Sequence, residues 1–219
     1  MASMNLFIYG AGATGREILD IIARQRQVSL AWDKVFFVDD VTQERELRGV
    51  AILRFEEMLA STEPYECVIA LGEPSLRERL HEKLRAHGVR LATVIDPQTT
   101  ISASARLGDG CIVGPGSFIS CDTVLGENVF LEINCIVGHD IRIGDHSVIS
   151  SCSVLGGQSR IGRAAFVGMN ASIREKVEIG NNSIVGMASA VFNSVGDGLI
   201  ALGNPARVVQ KNNDQRIFK

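Results

Sequence analysis

A glycine-rich segment near the start of the chain has the spacing of a phosphate-binding turn. Gly10, Gly12 and Gly15 directly follow the apolar run Asn5–Tyr9 and open a stretch in which apolar residues recur with helical spacing. Glycines at such a turn let a phosphate approach the unpaired N–H groups at the positive end of a helix. The segment therefore predicts a nucleotide site, and a tight turn that binds nothing is the alternative.

Two further apolar runs end in residues that we expect near this turn. Val35–Val38 is followed by Asp39 and Asp40, about 24 residues after the glycines, and Glu66–Leu71 is followed by Gly72. Strands that alternate with helical patterns predict a small parallel sheet with crossover helices. Only three or four strands fit before residue 95, which is half of a dinucleotide-binding fold. A mononucleotide-type ligand is therefore favoured over NAD, and a dehydrogenase is disfavoured.

His139 and the adjacent Asp140 are candidates for proton transfer. Imidazole titrates near neutral pH, so a positioned histidine can remove a proton from an attacking amine or hydroxyl. A carboxylate beside it can orient the ring and stabilise the imidazolium. A lone histidine at a turn is more often a solvated or capping residue, and these two residues alone leave both interpretations open.

The second part of the chain is a repeat. From Ile101 onward the sequence divides into sixteen consecutive hexads whose first residue is always Ile, Leu or Val. Ten of the sixteen second residues are glycine. A fixed short period predicts a solenoid in which the first residue points into the core. We expect three hexads per coil, with the second-position glycines at corners where φ is positive.

An 18-residue step in such a solenoid returns to the same corner one coil further along. Gly157 is then predicted directly above His139, with Glu175 above Gly157. A corner without a side chain would let a backbone N–H reach a developing oxyanion. The alternative is that Gly156 and Gly157 merely turn the chain.

Composition separates the chain into two parts and excludes several classes of protein. Six of the 22 glycines lie in residues 1–93 and the other sixteen in residues 94–219, which predicts two domains with these bounds. The net charge of −3 without a basic stripe argues against nucleic-acid binding. Neither a membrane span nor a signal peptide is evident, so we expect a cytoplasmic protein. Five cysteines without a CxxC pair indicate neither a metal site nor a disulfide framework.

Together these segments resemble the sialic acid O-acetyltransferase-type family of hexapeptide-repeat acyltransferases, closest to its bacterial nucleotide-amino-sugar N-acetyltransferases. The resemblance rests on Tyr-Gly-Ala-Gly-Ala-Thr-Gly-Arg-Glu, Phe-Val-Asp-Asp, the hexads, Gly-His-Asp-Ile-Arg-Ile-Gly-Asp and Gly203-Asn-Pro-Ala-Arg207. It implies an α/β N-terminal domain of half-Rossmann type, followed by an all-β left-handed parallel β-helix. The handedness comes from the family alone, because the general rule for crossovers predicts the opposite hand.

The resemblance also implies a reaction and assigns residues to it. It makes His139 the general base, Asp140 the residue that orients it, and the Gly157 N–H the donor to the thioester carbonyl. Acetyl-CoA is the implied co-substrate, bound without a metal between neighbouring β-helices of a homotrimer. The implied acetyl-CoA contacts are Gly157, Met169, Gly186, Met187, Gly203, Asn204, Pro205 and Ala206. From spacing alone, methionines at such corners serve equally well as gap fillers.

The implied acceptor is a nucleotide-linked amino-deoxy sugar of the 4-amino-4,6-dideoxy type, used for bacterial surface glycans. Its expected contacts are Gly10, Gly12, Gly15, Asp39, Asp40, Gly72 and Asn134. Several family members place a second histidine where this chain has Val148, and His146 lies two residues earlier. O-acetylation of a sialic acid or similar sugar hydroxyl is the first alternative. A non-catalytic binding solenoid is the second.

Overall fold

The structure is a computed structural model that describes residues 4–28 and 32–217. The predicted domain ends at residues 1 and 219 lie outside these ranges. The N-terminal elements are β1 (Asn5–Tyr9), α1 (Ala13–Gln25), β2 (Lys34–Val38), β3 (Glu46–Leu47), β4 (Val50–Leu53), α2 (Phe55–Leu59), β5 (Tyr65–Ile69) and α3 (Pro74–Ala86).

The N-terminal strands form one five-stranded sheet in the order β3-β4-β2-β1-β5. All neighbours are parallel except the hairpin β3–β4. The predicted parallel sheet with crossover helices is therefore present. The hairpin and α2 were not expected. The two-residue loop of the hairpin is Arg48-Gly49. Both residues have positive φ, +53° and +77°, as a type I′ turn requires, but Arg-Gly is a weak sequence signal for that turn.

From Val94 onward the chain winds into a three-sided solenoid of parallel strands. The first face holds β7 (Thr100–Ile101), β10 (Phe118–Ile119), β13 (Ile136–Val137), β16 (Val154–Leu155), β19 (Ser172–Ile173) and β22 (Ala190–Val191). The second face holds β8 (Arg106–Leu107), β11 (Val124–Leu125), β14 (Arg142–Ile143), β17 (Arg160–Ile161) and β20 (Glu178–Ile179). The third face holds β6 (Val94–Ile95), β9 (Ile112–Val113), β12 (Phe130–Leu131), β15 (Val148–Ile149), β18 (Phe166–Val167), β21 (Ile184–Val185), β23 (Leu199–Leu202) and β24 (Arg207–Lys211). The last of these, β24, runs antiparallel to β23.

The hexad pattern accounts for the core of the solenoid. Ile136 pairs with Val154, which confirms the 18-residue coil. The first residues of the hexads from Val113 to Val191 are buried in one continuous cluster, as predicted. Cys111 and Cys135 are buried there as well.

The expectation for the second-position glycines was wrong. Positive φ falls on the fourth residue of the hexads instead, for example +54° at Asn134 and +57° at Asp140. The second-position glycines are needed because successive corners stack closely. A Cβ on Gly144 would lie 2.6 Å from the backbone nitrogen of Arg163 in the next coil.

The N-terminal elements pack against the third face of the solenoid. The outward residues Ile112, Phe130 and Val148 share a buried cluster with residues of the N-terminal sheet and α1. Leu91 still bridges Cys67 of β5, whereas Val94 already pairs with Ile112. The chain thus passes from one sheet to the other at residues 92–94, and the division into domains at residue 93 stays a prediction.

A buried arginine joins the two parts. The Arg77 guanidinium on α3 donates to the carbonyl oxygens of Ile69 (2.7 Å) and Leu71 (3.0 Å) behind β5. Its Nε donates to the carbonyl oxygen of Asn128, at a corner of the solenoid, over 3.1 Å. Burial lowers the pKa of Arg77 to about 9. Removing this side chain would leave several buried carbonyl groups without their donor.

The two remaining faces differ in their outward residues. Phe118, Ile136 and Val154 stack in one column on the first face, and 44%, 47% and 38% of their surfaces are exposed. The corresponding column on the second face includes Arg142 and Arg160. The first face is therefore apolar and the second charged. None of the helices in the described ranges is long and apolar enough to cross a membrane.

Candidate active site

The three glycines of the first turn have three different structural roles. Gly10 has φ of +119°, and a Cβ there would lie 2.8 Å from the carbonyl oxygen of Ala70. A Cβ on Gly15 would collide with the backbone of Gly10, so glycine is needed for α1 to approach the turn. Gly12 is the N-cap of α1, offers no side-chain cap, and has open space around its Cβ position. The first N–H groups of α1 therefore face an open site that suits an anion.

Asp39 and Asp40 are held by hydrogen bonds within the N-terminal part. The Asp39 carboxylate accepts from the backbone N–H groups of Ala11 (3.0 Å), Val41 (2.9 Å) and Thr42 (3.0 Å). Partial burial opposes its ionisation, but these bonds outweigh burial and lower the pKa of Asp39. Asp39 thus fixes the shape of the glycine turn.

The Asp40 carboxylate accepts hydrogen bonds from the Tyr9 hydroxyl (2.6 Å) and the Phe55 N–H (2.9 Å), and lies 3.2 Å from the Lys83 ammonium. These groups lower the pKa of Asp40 against the effect of burial, and burial together with Asp40 raises the pKa of Tyr9. The Asp40 carboxylate is already bonded to groups within the protein. The predicted contact of Asp40 with a nucleotide stays a prediction.

The predicted nucleotide residues meet at one edge of the sheet. Gly10, Asp39 and Gly72 follow β1, β2 and β5, and β1 lies between the other two strands. Parallel strands end at the same edge, so the three turns are neighbours. In sheets of this type ligands bind at the point where the strand order reverses. Here that point lies beside β1.

His139 lies at the corner that joins the first and second faces. Its Nδ1 is 2.8 Å from Oδ2 of Asp140, and 56% and 51% of the two side chains are exposed. With Asp140 accepting from Nδ1–H, the other ring nitrogen, Nε2, is free to take a proton. The pair thus has the arrangement of an oriented general base.

Gly157 lies against the imidazole, as the 18-residue step predicts. The N–H of Gln158 donates to the His139 carbonyl oxygen over 2.8 Å, and a Cβ on Gly157 would lie 2.5 Å from His139 Nε2. The N–H of Lys176 donates to the Gly157 carbonyl oxygen over 3.0 Å, which places Glu175 in the next coil. Any side chain at position 157 would occupy the space beside Nε2.

The predicted acetyl-CoA residues line the opposite edge of the first face, where the third face meets it. Met169 and Met187 are 45% and 70% exposed, and the N–H of Ala188 donates to the Met169 carbonyl oxygen. Gly186, in the same turn as Met187, packs against Leu202.

The turn Gly203-Asn204-Pro205-Ala206 continues this edge upward. The Gly203 N–H donates to Ser189 Oγ over 3.0 Å, and the Ala206 N–H donates to the Ala190 carbonyl oxygen over 2.8 Å. The structure therefore brings all these residues except Gly157 onto one edge.

Two clefts open along that edge. The lower cleft, of about 440 Å³, lies between α1 and the solenoid and is lined by Ala13, Thr14, Glu17, Ile18, Asp20, Ile21, Arg24, Gly114, Pro115, Phe130, Glu132, Ile133, Ser151 and Met169. The upper cleft, of about 550 Å³, is mostly apolar and is lined by Glu132, Ser150, Phe166, Gly168, Met169, Ile184, Gly186, Met187, Leu202 and Ile217. Glu132 and Met169 belong to both. A larger cleft, of about 580 Å³, runs along the second face and includes none of the predicted site residues.

Two further residues considered from the sequence lie away from His139. His146 is 6% exposed and lies at the corner between the second and third faces, where its Nδ1 is 3.2 Å from Asn128 Nδ2. Its ring centroid is 5.3 Å from that of His81 on α3. Burial, followed by His81, lowers the pKa of His146 to about 4. Val148 is fully buried under the N-terminal part.

Asn134 shares the turn of Glu132, beside the lower cleft, and has the positive φ of a turn residue. Its predicted contact with the sugar stays a prediction. The sequence gives no signal for Glu132, since a lone glutamate at a hexad corner has no recognisable pattern. Among the residues that the structure describes, no three His, Cys, Asp or Glu side chains are placed to hold a metal ion.

Comparisons with known proteins agree with this architecture. Residues 5–84 match the PglD N-terminal domain and residues 95–195 match the GMPPB C-terminal domain. The chain is 31% identical over 142 residues to the GDP-perosamine N-acetyltransferase of Escherichia coli O157:H7, a match that spans 63% of each chain.

Two solved structures are similar over nearly the whole fold. The acetyltransferase domain of PglB from Neisseria gonorrhoeae FA1090, in complex with acetyl coenzyme A, is 26% identical with a TM-score of 0.88. The match covers 94% of this chain and 100% of the PglB domain. PerB from Caulobacter crescentus, in complex with CoA and GDP-perosamine, is 27% identical with a TM-score of 0.86, covering 94% and 97%.

The fold and the repeat are those of hexapeptide-repeat acyltransferases, and the predicted fold class of an α/β domain followed by a left-handed parallel β-helix is confirmed. Within that class, the chain is similar to nucleotide-amino-sugar N-acetyltransferases.

Proposed function

We propose that this protein transfers the acetyl group of acetyl-CoA to the amino group of a nucleotide-linked 4-amino-4,6-dideoxy sugar. The observation that carries the proposal is the His139–Asp140 pair with Gly157 packed against Nε2. Acyl transfer to an amine needs a general base, and His139 is oriented through Nδ1 and free at Nε2. It also needs a donor to the oxyanion, which a corner without a side chain can supply. The E. coli relative and PerB support a GDP-linked acceptor.

The N-terminal part would hold the nucleotide. The open space at Gly12 and the free N–H groups at the start of α1 suit the pyrophosphate. The lower cleft is lined by Ala13 and Thr14 on α1 and also by Glu132 and Met169 at a corner of the solenoid. The sugar would extend along this cleft, away from the nucleotide.

The transfer itself requires one proton acceptor and one oxyanion donor. The amine nitrogen attacks the thioester carbonyl carbon, and the carbonyl oxygen takes up negative charge next to the Gly157 N–H. His139 Nε2 accepts a proton from the nitrogen while Asp140 stabilises the resulting imidazolium. The C–S bond then breaks, and the imidazolium returns the proton to the thiolate. The products are the N-acetyl sugar and CoA with a free thiol.

A single chain does not bring the two halves of this site together. His139 and Gly157 lie at one edge of the first face, and Met169 and Met187 lie at the other. A homotrimer would unite them, since the His139 edge of one subunit can meet the Met169 edge of its neighbour. The apolar column of Phe118, Ile136 and Val154 lies between these edges and would be buried by that contact. A cytoplasmic location stays a prediction.

The direct test is acetyl transfer with matched acceptors. Acetyl-CoA is supplied with GDP-perosamine, or with the same nucleotide sugar carrying a hydroxyl in place of the amine, and free thiol is measured. We expect thiol release with the amino sugar and a product that is heavier by one acetyl group. Turnover only with the hydroxyl analogue would indicate an O-acetyltransferase, and turnover with neither sugar would contradict the proposal.

A further inference from the structure

Glu132 occupies the position where the two clefts meet. It directly follows β12, at the corner between the third and first faces, and lines both the lower and the upper cleft. Its Oε2 accepts hydrogen bonds from Ser150 Oγ (2.7 Å), the Ser151 N–H (2.9 Å) and Ser151 Oγ (2.8 Å). These three donors fix the carboxylate in place. No hydrogen bond from a described residue reaches its other oxygen, Oε1.

The charges along the lower cleft leave Glu132 without a cationic partner. Arg24 is 2.6 Å from Asp96, and Asp20 is 3.0 Å from Arg48, so these charges are already paired. Within the described part of the chain Glu132 has no ion pair. The first residues of α1, which favour an anion, line the same cleft. The cleft therefore suits a ligand that carries both phosphates and a cationic group.

We propose that Glu132 binds the amino group of the acceptor and makes the enzyme prefer an amine over a hydroxyl. This rests on the proposed function. A carboxylate only accepts hydrogen bonds, and an ammonium group offers three donors and a positive charge. A sugar hydroxyl in the same place offers one donor and no charge. Glu132 thus distinguishes the two acceptor classes by charge.

The position of Glu132 along the solenoid agrees with this role. Its turn and the His139 turn flank the same short strand, β13, and are therefore at nearly the same height. In a homotrimer the His139 of one subunit would then face the Glu132 of its neighbour. The amine arrives as ammonium at Glu132 and releases one proton to solvent. On attack it passes a second proton to His139, so one proton is released for each amide formed.

The test is Glu132→Gln, which keeps the shape of the side chain and an oxygen for the serine donors but removes the charge. We expect the KM for the amino-sugar nucleotide to rise about 10- to 100-fold, the loss typical of a charge-assisted hydrogen bond. The KM for acetyl-CoA stays within about twofold of its wild-type value. Glu178→Gln on the second face is the matched control and changes neither constant.

Calorimetric binding of the nucleotide sugars without acetyl-CoA separates this proposal from the proposed function. Wild-type protein should bind the amino sugar more tightly than its hydroxyl analogue, and Glu132→Gln should lose that preference. A wild-type protein that shows the preference but transfers no acetyl group would contradict the proposed function alone. An unchanged preference in Glu132→Gln, or a rise only in the KM for acetyl-CoA, would overturn the role of Glu132. If Glu132→Gln fails to fold, Glu132→Asp, which withdraws the carboxylate, serves as the second variant with the same expectation.

Discussion

A single methyl group at Gly157 should inactivate the enzyme without unfolding it. A Cβ at this position would lie 2.5 Å from His139 Nε2, whereas ordinary van der Waals contact begins at 3.4 Å. The imidazole is an exposed side chain, so it can move away by about 0.9 Å at little cost in stability. That displacement removes Nε2 from its position beside Gly157. A shift of about 1 Å in a catalytic group costs on the order of 100-fold in rate.

The assay compares kcat for acetyl transfer in Gly157→Ala and wild type, together with the melting temperature of each. We expect kcat to fall about 100-fold while the melting temperature changes by less than about 4 °C. Gly196→Ala is the control, because its Cβ would meet Leu199 at an ordinary 3.4 Å and should leave kcat unchanged. A Gly157→Ala enzyme with kcat within threefold of wild type would refute the inference that the base operates against this corner.

Two further predictions concern assembly and stability. Ile136→Lys on the first face should convert the proposed homotrimer to monomers in sedimentation, whereas Val124→Lys on the second face should not. A trimeric Ile136→Lys protein would refute the proposed interface. His146 has a pKa lower in the folded protein than in the unfolded chain, so its contribution to stability is complete above about pH 6.5 and is lost as the pH falls toward 4. Between pH 7 and 5 the wild type should lose about 1–2 kcal/mol more unfolding free energy than His146→Gln in urea titrations, and equal losses would contradict this.

The repeat made most of the solenoid predictable. The first residue of each hexad fills the core, so the coil length and the stacking of Gly157 on His139 follow from counting residues. The φ values could not be predicted from the repeat. The second-position glycines are required by the close stacking of neighbouring coils and do not adopt a left-handed conformation. The hairpin at Arg48-Gly49 was missed for a different reason: Arg-Gly is a weak sequence signal for a type I′ turn.

The candidate site was predictable only where sequence distance matches distance in space. His139, Asp140 and Gly157 are related by adjacency or by one coil, and the structure brings them together. Met169 lies 30 residues from His139, which is not a whole number of 18-residue coils, so the two residues lie at different corners. Glu132 gave no signal because its significance comes from the two clefts that meet there.

The most direct test of the central claim is the rate of acetyl transfer by His139→Ala. With saturating acetyl-CoA and GDP-perosamine, loss of the general base should lower kcat by about 10²- to 10⁴-fold while the melting temperature stays close to that of wild type. A His139→Ala enzyme that retains turnover within tenfold of wild type would contradict the account.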